Sequence, residues 1–168
     1  MVSLDNTRGE VSRGGLYKIL EAGMTGDLEA FEKCYIERRS DILAHVGMLS
    51  HLLHSSLFLG RPDIAQFLLD EGASGIEEIS REGATSANTA FDLAIDGYKA
   101  SADNQALANA YIISAIKIST QDTGMIKTIT SLIPEIADNE EIMSALGKSY
   151  THLASLASSK VASAGRSK

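Results

Sequence analysis

The sequence predicts an all-α protein: short antiparallel helix pairs stacked into a solenoid and closed by C-terminal helices. Three observations carry this. Apolar residues recur at spacings of three and four, glycines stand at the ends of the stripes, and a stripe–glycine–stripe phrase returns after about 34 residues. Composition agrees, because Ala, Leu, Ile and Ser carry the volume while Trp is absent and aromatics reach only 5%. With 168 residues, 44% of them apolar, the chain is long enough for one domain with its own core.

Residues 1–13 are polar and contain glycine, so they read as a flexible N-terminal segment. They hold no apolar stretch of the kind a conventional signal peptide needs, and nowhere does an apolar run reach the length of a membrane span. The one cysteine, Cys34, excludes an internal disulfide and fits a reducing compartment, and its place in an apolar helical pattern reads as a buried core thiol. The expectation is a soluble cytoplasmic protein without a membrane partner.

The stack is expected over residues 14–120. Its first copy is LYKILEAGMTGDLEAFEKCYI, residues 16–36, in which Gly26 separates two stripes. The second is LLHSSLFLGRPDIAQFLLD, residues 52–70, which aligns with the first without a gap and places Gly60 opposite Gly26. Within it, Pro62 suits a first helical turn, where a missing N–H costs nothing. Ile64, Ala65, Phe67, Leu68 and Leu69 form the stripe, and Gly72 stands where a helix needs a left-handed C-terminal residue. The third copy opens at TAFDLAIDG, residues 89–97, with Gly97 as its turn, and its second helix is expected over 106–119.

Beyond the stack, residues 121–162 read as a helical cap and residues 163–168 as a flexible tail. A short helix is predicted over Gly124–Ile133, interrupted at Pro134. Asn139, Glu140 and Glu141 then cap a longer helix whose apolar positions are Ile142, Leu146, Tyr150, Leu153, Ala157 and Val161.

At these residues the chain resembles the ankyrin repeat family. Thr89-Ala90-Phe91-Asp92-Leu93-Ala94 matches the family's Thr-Pro-Leu-His opening best, Leu53-His54 matches it in part, and GRPDIAQFLLDEGAS is close to its second helix and Gly-Ala exit. No copy carries the Thr-Pro pair, and Gly97 falls one place early. The resemblance implies a non-catalytic protein–protein interaction module, acting as an inhibitor, adaptor or immunity-type protein through a concave groove. Some bacterial proteins resembling the family act as effectors in another cell, reached through a specialised secretion route. Residues before each turn glycine are then groove-edge candidates: Met24 and Thr25, Phe58 and Leu59, and Asp96. Two readings of Phe58-Leu59 stand, a contact hot spot or burial against the N-terminal segment.

The connection SGIEEISREGATSAN, residues 74–88, exceeds a normal repeat hairpin, so Glu77, Glu78, Arg81 and Glu82 are further partner-binding candidates beside the reading of a tolerated insertion. The net charge of −7 argues against a nucleic-acid partner. From Asp63 to Asp103 nine acidic residues face two basic ones, Arg81 and Lys99, which fits either a solvated face or a basic protein partner. No nucleophile–base set or phosphate loop is present, so no catalytic residue and no cofactor is expected. His51 and His54 share a helix face in the manner of a metal pair, without a third ligand at supporting spacing. The resemblance instead gives His54 a structural role, and a small enzyme or ligand- or metal-binding protein built on these two histidines is the alternative.

Overall fold

The structure, a computed structural model, describes residues 12–80 and 87–149. Among these residues there are nine helices and no strand. They are α1 (Arg13–Gly23), α2 (Leu28–Glu37), α3 (Arg39–Ala44), α4 (Met48–Phe58), α5 (Pro62–Asp70), α6 (Ala90–Ala100), α7 (Gln105–Ser119), α8 (Thr123–Ile136) and α9 (Glu140–Ser149). The all-helical expectation therefore holds.

The helices pair as the turns dictate, α1 with α2, α4 with α5 and α6 with α7. Neighbouring pairs meet like on like. One row runs α1, α4, α6, and a second runs α2, α5, α7, which α9 extends by packing on α7. No single pair could bury its apolar face alone, so the core is continuous from Leu16, Leu20 and Phe31 through Leu52, Ile64 and Leu68 to Ile112, Ile133 and Leu146.

Local chemistry sets the boundaries. Pro62 opens α5, and at its far end Ala73 N–H donates to Leu68 O (3.0 Å) over Gly72, whose φ of +102° only glycine adopts without strain. Thr89 and Asp92 close a capping box on α6, each side chain accepting from the other's backbone N–H at 3.0 Å. Asn139 Oδ1 caps α9 by accepting from Ile142 N–H (3.1 Å), as the Asn-Glu-Glu pattern predicts.

Five points differ from expectation. Gly97 is not a turn: α6 runs through it to Ala100, and a Cβ at Gly97 would lie 2.5 Å from Cδ1 of Tyr111, so the glycine admits the α7 ring against α6. Pro134 does not interrupt its helix either. It lies in the last turn of α8, where the helix forfeits a single backbone bond and still closes through the Ala137 N–H to Ile133 O (2.9 Å). Helix α3 is unanticipated; it ends at Ala44, and Gly47, at φ +81°, turns the chain into α4. Cys34 is half-buried rather than enclosed, with Arg38 Nη1 at 3.5 Å from its sulfur. Helix α1 also begins at Arg13, inside the segment read as flexible. Tyr150, Leu153, Ala157, Val161 and the tail lie outside the described residues.

Candidate interaction surface

The turns of the first two pairs are fastened together by one side chain. Arg61, between α4 and α5, donates through Nη1 to Met24 O and Gly26 O, both at 2.5 Å, and holds Asp63 with Nε and Nη2 at 3.0 and 2.8 Å. Hydrogen bonding to Asp63 raises the Arg61 pKa. Burial works to raise the Asp63 carboxyl, but the bonds from Arg61 and from the Ile64 N–H outweigh it and hold the group below its ordinary range. Gly60, at φ +78°, leaves its α-carbon close to the Tyr111 hydroxyl, and the same ring rests on Gly97. One edge of the molecule thus runs from the α1–α2 turn over the α4–α5 turn to the C-terminal half of α6.

On this edge the sequence candidates separate. Met24 is 1% exposed and belongs to the core, so it is withdrawn as a contact residue: its side chain points between α1 and its neighbours, and only its carbonyl serves the turn. Thr25 is exposed, with its hydroxyl donating to Ala22 O (2.8 Å). Phe58 and Leu59 are 57% and 44% exposed, large apolar side chains at the C-terminal end of a helix whose residues 52–57 are all buried. Asp96 is exposed on α6. The structure thus brings Thr25, Phe58, Leu59 and Asp96 to one edge and leaves Glu77 and Glu78, both exposed, on the separate long connection. Arg81 and Glu82 lie outside the described residues.

The neck of that connection is fixed. Ile79 and Asn88 form an antiparallel bridge, and His54 Nε2, almost fully buried, donates to Asn88 O at 3.1 Å, 34 residues along the chain. His51 is engaged differently: its Nδ1 accepts from Arg13 Nη2 (3.0 Å) and its ring stands edge-on to Tyr17, 6.3 Å between centroids. Tyr17 in turn hydrogen-bonds Glu21 and Ser55. A cleft of about 430 Å³ opens here, lined by Arg13, Tyr17, Lys18, Glu21, His51 and Ile79 among others. Among the described residues no three His, Cys, Asp or Glu side chains converge as metal ligands.

Sequence reasoning missed two features. Ile36, Leu43 and Val46 are exposed apolar residues around α3, a helix too short to leave a periodic signal. A second cleft, about 580 Å³, lies between the third pair and the cap, with Ala108, Ile136 and Ile142 at its base and Tyr98, Lys99 and Glu135 on its rim. Tyr98 donates to Glu135 Oε1 (3.2 Å), and burial together with that carboxylate raises its pKa. Asn109 pins the cap beside this cleft, accepting from Gln105 and Asn139 and donating to Glu141 Oε1 (2.7 Å). These contacts unite residues some 30 positions apart, which spacing does not foretell.

No family model, curated protein or solved structure matches the chain. Among the described residues no helix is long and apolar enough to cross a membrane.

Proposed function

We propose that this protein is a short ankyrin-like stack working as a non-catalytic protein-interaction module, and that it contacts its partner through the edge formed by Thr25, Phe58, Leu59 and Asp96. The stack reading draws on the like-on-like helix rows and on the His54–Asn88 bond between successive units. The interaction reading rests on one observation: Phe58 and Leu59 are exposed side by side at a tight turn, where polar residues would cost little in stability. Large apolar groups concentrated on an exposed edge mark contact surfaces. The role is that of a protein acting by occupancy, as an inhibitor, adaptor or immunity-type protein does.

The test is affinity capture with the parent protein and with the Phe58→Ser/Leu59→Ser variant, followed by titration of the captured protein in purified form. Loss of on the order of 1–3 kcal/mol of binding per substitution is expected, in the range of central apolar contacts. A partner held equally by both proteins would move the site to the His51 cleft or the long connection.

A further inference from the structure

We infer that the occupant of the Phe58–Leu59 edge is a basic amphipathic segment of the partner, an apolar side chain on Phe58 and Leu59 with Lys or Arg residues on either side. This rests on the reading of that edge as the contact surface, and goes beyond it by fixing the partner's chemistry.

The charges around the two apolar side chains decide the matter. The turns and the C-terminal half of α6 carry Asp27, Asp63, Asp96 and Asp103 against Arg61 and Lys99. Arg61 is spent inward: its guanidinium serves Asp63 and two carbonyls of the neighbouring turn. Lys99 is exposed one helical turn after Asp96 and also borders the cleft toward α8 and α9. Even with Lys99 counted, Asp27, Asp96 and Asp103, all exposed, leave an excess of carboxylates along this edge. Asp27 is near enough to Arg61 to favour its charged form, which places it at the same junction. It also caps α2, accepting from Ala30 N–H at 2.7 Å, so its carboxylate is held in place.

An apolar pair on an edge with an excess of carboxylates selects against acidic partners, since like charges brought together across an interface are costly, and it draws in cationic ones over a Debye length. The chain's net charge of −7 adds a long-range field of the same sign. A neutral apolar segment would satisfy Phe58 and Leu59 but leave the carboxylates partly desolvated and unpaired. A basic one satisfies both.

The experiment is selection of a displayed library of random short peptides on the immobilised full-length protein, run in parallel on Phe58→Ser/Leu59→Ser, with circular dichroism checking that the variant is folded. Peptides enriched on the parent and lost on the variant are expected to carry a bulky apolar residue flanked by Lys or Arg. Synthesised, the best of them should bind about tenfold more weakly to Asp27→Asn/Asp96→Asn, and should associate more slowly as salt rises while dissociation changes little. Asn at position 27 keeps the helix cap, so this variant tests charge alone. Enriched peptides that need Phe58 and Leu59 yet are neutral or acidic would overturn the basic occupant and leave the edge standing. Peptides held equally by the double-serine variant, or no enrichment at all, would overturn both.

Discussion

The second helix pair sits between two neighbouring pairs and the C-terminal pair at the end of the row, and the two are held in opposite ways. Helices α4 and α5 are joined to their neighbours by side chains that reach backbone: Arg61 to the first turn, His54 to Asn88, and Gln66 to Ala110 O. The exit of α5 is clasped by Gln121, which donates to Ala73 O and accepts from Gly75 N–H. Helices α8 and α9 are held chiefly by apolar faces, Ile129, Leu132, Ile133 and Ile136 on one and Ile142 and Leu146 on the other, with Asn109 as their polar anchor. An element sandwiched between two neighbours must satisfy its turn groups internally, because water does not reach both sides. An end element can leave them to solvent.

The largest effect should come from the centre of the sandwiched pair. Leu68 is fully buried on α5, and Leu68→Ala is expected to cost on the order of 2–5 kcal/mol in urea unfolding, because packed neighbours on both sides cannot collapse into the cavity. Leu146→Ala, equally buried but near the described end of the cap, should cost less. Equal losses would mean that the cap is as constrained as the middle.

This contrast also explains what the sequence makes legible. Phe67, Leu68, Gly72 and Asn139 are read correctly because each answers a local demand: a stripe, a C-terminal glycine, a cap. Gly97 misleads because glycine has two uses, a left-handed turn and a close approach, and only the distant Tyr111 ring distinguishes them. Met24 misleads because alignment with Phe58 gives a place in the sequence pattern, not the local geometry that buries one side chain and exposes the other. Pro134 misleads because position within a helix decides its effect, and the end of α8 lies beyond the predicted one. The candidate edge was legible in Thr25, Phe58, Leu59 and Asp96; the Arg61 clasp that assembles it was not.

Gly97→Ala sharpens the point with a moderate effect. A methyl group placed against the Tyr111 ring forces α6 and α7 apart, with an expected cost of about 1–3 kcal/mol by overpacking. Tyr111→Leu should recover part of it in the double variant. If Gly97→Ala instead stabilises the protein, as an Ala in an open helical position does, the close approach is not there.

A smaller effect is expected at high pH where the first two pairs meet. Tyr35 on α2 is fully buried, stands edge-on to Phe67 of α5 with centroids 5.2 Å apart, and lies beside the Glu71–Arg39 ion pair (2.9 Å). Burial, with the Glu71 carboxylate adding to it, pushes its hydroxyl up to about 12. A group whose pKa is raised on folding contributes stability that is present below its unfolded value, about 10. That contribution is lost as pH climbs from there through the folded value. Melting temperature should therefore fall between about pH 10 and 12, and Tyr35→Phe should flatten that fall relative to the parent. Parallel curves would place the alkaline loss elsewhere.

The smallest effect on stability belongs to the edge, and its smallness is the argument. Phe58→Ser and Leu59→Ser remove large apolar groups from α4 and its C-terminal cap, the same helix whose residues 52–57 form the buried centre. If the two side chains were part of that core, each change would cost several kcal/mol, as at Leu68. They are 57% and 44% exposed, so about half of the transfer term is absent, and a cost of about 1 kcal/mol is expected for each, well below that at Leu68. Selection for stability alone gives little reason for two such residues to stand at a tight turn. Urea unfolding of both single variants decides between the two roles. A loss resembling that of Leu68→Ala would make Phe58 and Leu59 packing residues and remove the basis for a partner at this edge. A loss well below that of Leu68→Ala keeps both side chains out of the core and leaves the proposed contact at this edge standing.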